Sequence, residues 1–337
     1  MRCSRPSITK LERDFVNDAL EKNDIGIGEY IEKFESTWAS WNKKSYGVSC
    51  NSGTNAIYLA LKALGIGPGD EVIVPEFTMV ATAWAVTYTG ATPVFVDCGD
   101  DLNMLDTFEV TERTKAVIPV PIYGREVNDS VYRRARENKL FVVEDMAEAH
   151  GIQPKGDISC YSFYGNKILT TGEGGMCLTD NEKWAEEMRL YANMYFDKGR
   201  TLLHPKVGHN FRMTNLQAAI GYGQVLRVDE ILEKRKQIES WYDHCVPEEM
   251  RMPGRNVLWV YDIDCGEKQA EVKEKLGDIE SRYFFKPMSM QPMYAADYSH
   301  LNAYKWSKRG IYLPTFTDMT EREVRSVCDA LKSSVNK

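Results

Sequence analysis

Between Tyr46 and Thr179, short apolar runs alternate with stretches of helical period. The runs are YGVSC (46–50), EVIVP (71–75), PVFVD (93–97), KAVIPV (115–120), LFVVED (140–145), ISCYSF (158–163) and GMCLT (175–179). Most are nearly continuous in apolar residues. A strand with one wet face would alternate, whereas an unbroken run fits a strand covered by helices on both faces. Helical patterns at 54–65, 77–89, 126–138 and 181–193 lie between them. The alternation predicts an α/β fold around a mostly parallel sheet.

The flanks read differently. Ahead of the sheet, 9–23 and 29–43 form two amphipathic patterns separated by the turn-rich NDIGIGE. After it, a helix is expected over 214–236, opened by Thr214 and Asn215. The remainder is shorter and more mixed, and ends in a helix from Thr320 with Glu321 and Glu323 in its first turn. The domain change is placed near 230, giving a large domain over 1–230 and a smaller C-terminal α+β domain over 231–337, with the long helix as hinge.

Composition narrows the choice. With 43% hydrophobic and 27% charged residues, the 337-residue chain is an ordinary globular protein. A net charge of −7 argues against a nucleic-acid binder, so an anionic ligand must be held by local features. No window approaches the roughly 18 apolar residues of a membrane span. The opening MRCSRPSITKLERDF lacks the apolar core of a secretory signal. Eight cysteines at 3, 50, 98, 160, 177, 245, 265 and 328 contain no CxxC pair. They are expected as buried free thiols in a reducing cytoplasm, with no disulfide framework and no metal site.

Ligands of open parallel sheets bind outside the carboxyl ends of the strands, and four polar clusters fall at such places. Asn51-Ser52-Gly53-Thr54 follows a strand and opens a helix, which suits a phosphate; alone, an ordinary helix cap is the simpler account. Glu144-Asp145 ends LFVVED, where an acid could be a metal ligand, a cap or the partner of a protonated ring nitrogen. In SFYGNKILTTGEGG one lysine, Lys167, leaves an apolar strand ahead of a Gly-rich turn. Desolvated there, it would lose proton affinity and become an amine nucleophile for Schiff-base chemistry; the plain alternative is a surface lysine beside a hairpin. The run is no P-loop, because the lysine precedes the glycines. The fourth cluster, His204-Pro-Lys206-Val-Gly208-His209-Asn210-Phe-Arg212-Met-Thr214-Asn215, is equally consistent with a solvated loop.

In this order and spacing, the clusters resemble the DegT/DnrJ/EryC1/StrS sugar-aminotransferase family of fold-type-I pyridoxal 5'-phosphate (PLP) enzymes. The resemblance covers essentially the whole chain: FESTWASW, SGTNAIYLALKALGIGPGDEVIVPEFTMVATAWAV, VVEDMAEAHG, GDISCYSFYGNKILTTGEGG, NFRMTNLQAAIG, FFKPMSMQPMY and YLP follow the family's order. It implies an aspartate-aminotransferase-like fold and a homodimer with shared active sites. It implies that Lys167 carries PLP and moves the 1,3-proton, and that Asp145 keeps the pyridine nitrogen protonated. Ser52, Gly53, Thr54 and Ser162 would hold the phosphate, with Asn210 reaching it from the neighbouring subunit. Met79 would stack on the ring and Glu148 would face it and touch the sugar. His204 and Lys206 are further candidates for substrate contacts.

The chain also departs from the family. The stretches between Gly151 and Gly156 and around 99–106 are short, and VPIYGRE carries Pro121 in place of a histidine. GNK followed by TTGEGG resembles the GDP-perosamine synthase branch, which transfers an amino group from glutamate to C4 of GDP-4-keto-6-deoxymannose. A UDP- or dTDP-linked 4-keto-6-deoxy sugar is the alternative substrate. A PLP-binding regulator without turnover is the alternative from another class. Glycan or O-antigen assembly is the family-level expectation.

Overall fold

The computed structural model describes residues 1–335 apart from Lys198, Arg200 and His300. Its first helices, α1 (Lys10–Glu21) and α2 (Glu29–Trp41), precede strand β1 (Tyr46–Cys50). There follow α3 (Gly53–Ala63), β2 (Glu71–Pro75), α4 (Val80–Thr89), β3 (Thr92–Val96), β4 (Thr114–Val117), α5 (Asp129–Glu137) and β5 (Phe141–Asp145). Then come β6 (Ile158–Ser162), β7 (Gly175–Thr179), α6 (Glu182–Ala192), α7 (Asn215–Leu226) and α8 (Val228–Cys245). The C-terminal part holds β8 (Tyr261–Asp264), α9 (Gln269–Lys275), β9 (Arg282–Tyr283), α10 (Asn302–Ser307), β10 (Gly310–Leu313) and α11 (Glu321–Val335).

The first seven strands form one sheet in the order β1-β7-β6-β5-β4-β2-β3. Only β7 runs against the rest; the β2–β3, β2–β4, β4–β5 and β5–β6 pairs are parallel. Both faces are covered, as the apolar runs predict. On β2, Val72 and Val74 join a core with α3 and α4, while Ile73 between them packs with Val131 and Ala135 of α5. Pro93 lacks an amide donor and lies in β3 at the sheet edge, where the ladder does not need one. A second sheet, β8-β10-β9, is antiparallel and shares a core with α8, α9 and α11. This is the α/β, mostly parallel fold expected of an aspartate-aminotransferase-like enzyme.

Two expectations are corrected. The helix expected over 214–236 is two helices, α7 and α8, broken at Arg227 (φ −114°, ψ 11°). No proline or glycine marks the break. Contacts with α1 accompany it: Gln224 donates to Glu12 at 2.7 Å and to the Ser7 carbonyl at 2.9 Å, and Arg227 pairs with Glu12 at 2.8 Å. Nor are all eight cysteines free. Cys245 at the end of α8 and Cys328 in α11 form a disulfide across 83 residues, with Cα atoms 5.9 Å apart. Helix packing brings them together, and linear spacing cannot reveal that. The remaining six are free and buried. No described helix is long and apolar enough to cross a membrane.

Candidate active site

Sheet register assembles the site. Gly175, the first residue of β7, pairs with Cys50 on one side and Ser162 on the other, while Asp145 pairs with Cys160. The carboxyl ends of β1, β5 and β6 therefore meet at one edge. Two glycines permit the closeness: a Cβ on Gly53 would lie 2.6 Å from that of Ser162, and one on Gly175 would lie 2.2 Å from the Ser52 carbonyl oxygen. Ser52 caps α3, accepting from the Asn55 N–H at 3.2 Å. First-turn amides, including those of Gly53 and Thr54, have no acceptor within the helix. Backbone N–H groups, a helix N-terminus and the hydroxyls of Thr54 and Ser162 make a cradle that suits a phosphate.

Lys167 sits on a loop tied at both ends to the end of β6. Its own N–H donates to the Tyr164 carbonyl at 2.9 Å; further on, the Thr171 N–H and Thr170 hydroxyl reach the Phe163 carbonyl at 2.9 and 3.0 Å. The ammonium lies 4.1 Å from the ring centroid of Trp259. Among the described residues it makes no hydrogen bond or ion pair. Burial lowers its pKa, with Glu148 and Asp145 pulling the other way.

The carboxylates are buried, whereas Lys167 is half-buried. Asp145 accepts from the Thr82 hydroxyl at 2.7 Å and from the Ala147 N–H at 3.2 Å. Burial pushes its pKa up against both donors and Lys167. Glu148 accepts from the Tyr123 N–H at 2.8 Å, and no other hydrogen bond reaches it among the described residues. Burial raises its pKa to about 7, opposed chiefly by Lys167. Tyr123 (φ 49°) and Gly124 (φ 80°) both adopt left-handed backbone, a costly choice for tyrosine that aims its amide at the acid. Nearby, His150 is wedged among Trp38, Tyr161 and Phe163, and burial lowers its pKa to about 3, so it adds no charge.

An amine whose proton affinity is lowered, within electrostatic reach of two buried acids at a sheet end that also carries a phosphate cradle, is suited to Schiff-base chemistry on a carbonyl. Sequence comparison decides the lineage. The profile of the DegT/DnrJ/EryC1/StrS aminotransferase family matches residues 6–332. The chain belongs to that family. It is a PLP-dependent aminotransferase. The chain is 39% identical to the GDP-perosamine synthase of Caulobacter vibrioides over 97% of its length and 96% of that protein's. It is 35% identical to the GDP-perosamine synthase of Escherichia coli O157:H7, covering 97% and 96% of the two chains. A putative sugar aminotransferase of Streptococcus pneumoniae, solved in its PMP form, superposes with a TM-score of 0.93 at 26% identity, over 99% and 97% of the two chains.

The predicted residues fall into two sets. Ser52, Gly53, Thr54, Asp145, Glu148, Ser162 and Lys167 gather at the strand ends. Met79 is the N-cap of α4 and 48% exposed, one residue from the buried Thr78 and three from Thr82. His204, Lys206 and Asn210 lie apart on an exposed loop. His204 bonds the Met194 carbonyl at 2.7 Å, Lys206 pairs with Glu187 at 2.6 Å, and Asn210 lines a cavity of about 1000 Å³ with Gly26, Ile27 and Thr214. None of their hydrogen bonds or ion pairs reaches Lys167 among the described residues. Sequence reasoning missed Trp259, Thr82 and Tyr123. Trp259 comes from far along the chain, Thr82 is one apolar-flanked threonine among several, and Tyr123 acts through its backbone. Among the described residues no group of three His, Cys, Asp or Glu side chains could hold a metal.

Proposed function

We propose that this aminotransferase moves an amino group from glutamate to C4 of a nucleotide-linked 4-keto-6-deoxy sugar, with GDP-4-keto-6-deoxymannose as substrate and GDP-perosamine as product. The observation that carries the reading is Lys167, poised over Trp259 within electrostatic reach of Asp145 and Glu148, on the loop that follows β6. Bound PLP supplies an electron sink and a carbonyl that a lysine amine can engage. Lys167, whose proton affinity burial lowers, would hold it covalently and, once freed, would act as the base for the 1,3-proton transfer. Asp145 holds the ring nitrogen protonated. Gly53, Thr54, Ser52 and Ser162 would anchor the phosphate, Met79 would cover the ring, and Glu148 would face it and the sugar.

Amino-group chemistry does not itself choose a ketone, so selectivity rests on contacts that hold one carbon over Lys167. The GDP and C4 choices draw support from GNK with TTGEGG and from the two GDP-perosamine synthases above.

Two copies are taken to share their sites, with Asn210, His204 and Lys206 completing the partner's. Exposed Ile27, Leu202 and Val207 on or beside the Asn210 cavity support a second copy on that face. In this reading the enzyme is cytoplasmic, serves glycan assembly, and divides into a cofactor domain over 1–230 and a small domain over 231–337. The test supplies GDP-, UDP- and dTDP-linked 4-keto sugars with labelled glutamate and locates the new nitrogen by NMR. Nitrogen at C4 of the GDP sugar is expected. Amination at C3, or turnover with free keto acids alone, overturns the assignment, and complete inactivity with an intact cofactor band favours a regulator.

A further inference from the structure

Asp145 ends an apolar strand, is 5% exposed, and has no cationic side chain bonded to it among the described residues. Two neutral donors hold it instead, and one continues inward. The Thr82 hydroxyl reaches Oδ2 at 2.7 Å, and the Thr78 hydroxyl lies 2.9 Å from that of Thr82. Thr78 is 1% exposed and Thr82 is fully buried, so no solvent competes for these bonds.

The proton order follows from valence. An ionised carboxylate only accepts. Thr82 must therefore spend its single proton on Asp145, and its oxygen must accept from Thr78. The chain runs from the Thr78 hydroxyl to the Thr82 hydroxyl to Oδ2. The order can reverse only if Asp145 is protonated, so this donor order belongs to the anion. With Oδ1 taking the Ala147 N–H at 3.2 Å, each oxygen keeps a further lone-pair position for a ligand. Thr78 belongs to the turn between β2 and α4 and Thr82 to the first turn of α4, where the Thr82 N–H donates to the carbonyl of the N-cap Met79 at 3.1 Å. One short segment thus carries both hydroxyls and Met79.

We infer that Thr82, polarised by Thr78, is a positioning residue that keeps Asp145 ionised and fixes its orientation toward the ring nitrogen of the cofactor. The inference deepens the proposed function and rests on its assignment of Asp145. A hydrogen bond to a charged group is worth enough to change occupancy of the anion on the order of tenfold.

The test compares Thr82→Val, Thr82→Ser and Thr78→Val in the PLP-loaded protein, with Asp145→Asn as reference. Three quantities are read: the pH midpoint of the bound cofactor's visible absorbance without substrate, the PLP dissociation rate, and kcat and KM with the best nucleotide sugar. Thr82→Val should move the midpoint in the same direction as Asp145→Asn and lower kcat about tenfold with KM nearly constant. Thr78→Val should shift both in the same sense by less, and Thr82→Ser should restore both. A parental midpoint and kcat in Thr82→Val overturns the relay. So does a Thr82→Ser variant as impaired as the valine, since packing alone would then explain the loss. If Thr82→Val does not load PLP, Thr78→Val and Thr82→Ser decide by the same readings. A parental Asp145→Asn would bring down the role of Asp145 itself, whereas a silent Thr82→Val beside an impaired Asp145→Asn brings down the relay alone.

Discussion

Two of the buried charge clusters among the described residues are built to opposite ends. Around Asp262, every charge is matched: Arg125 reaches one carboxylate oxygen at 2.8 Å, Arg255 the other at 2.9 Å, and Arg255 also meets Glu239 at 3.0 Å. This network joins the loop after Gly124 to strand β8. Around Lys167, the amine and both acids are within electrostatic reach yet form no ion pair among the described residues. Burial moves all three pKa values toward the neutral forms. Buried charges that pair fully hold structure, whereas buried charges left partly satisfied keep capacity for a ligand. Burial alone does not distinguish the two; partnership does.

The comparison can be broken by substitution. Lys167→Ala should cost the most, lowering kcat on the order of 10⁴-fold or more. Borohydride should trap PLP on residue 167 of the parent and on no residue of the variant, as mass spectrometry would show. Recovery of the adduct on another lysine would dismiss the assignment. Asp145→Asn should follow, with turnover down roughly 10²–10³-fold while PLP stays bound; initial rates beside equilibrium dialysis separate the two effects.

In the paired cluster the loss should appear in stability instead. Asp262→Asn leaves the buried Arg125 without a carboxylate and Arg255 with Glu239 alone, and should cost about 3–5 kcal/mol in denaturant unfolding of the PLP-free protein. If that variant unfolds like the parent, the network is not the structural element described.

The smallest effect is a pH dependence. Glu148 has its pKa raised from 4.5 to about 7 by burial, so the folded protein holds this proton more tightly than the unfolded chain. Its contribution is present below pH 4.5 and is lost as pH rises through about 7. Glu148→Gln should remove that decline, making the PLP-free variant more stable than the parent on the order of 2 kcal/mol near neutrality. Parallel unfolding midpoints across that range would refute the shifted acid.

Much of this was legible in one dimension. The seven apolar runs match the strands of the large sheet within a few residues, because strands buried on both faces cannot hide their composition. The run KAVIPV extends past its strand: β4 stops at Val117, ahead of Pro119. Lys167, Asp145 and the Ser52–Thr54 turn stood out because each polar group interrupts apolar sequence at a strand end, where open sheets bind ligands.

The chain by itself determined its alternating architecture, the polar groups at the strand ends and its family. Tertiary structure decided which of those groups meet. It laid Trp259 beneath Lys167, turned Tyr123 into a left-handed bend to serve Glu148, and drew Thr78 and Thr82 behind Asp145. It also broke the expected long helix at Arg227 over Glu12 and joined Cys245 to Cys328. Periodicity reports how much of each face is buried, because burial is a local demand on residue type. Partners distant along the chain leave no mark in it, because hydrogen bonds and ring contacts depend on where the backbone returns.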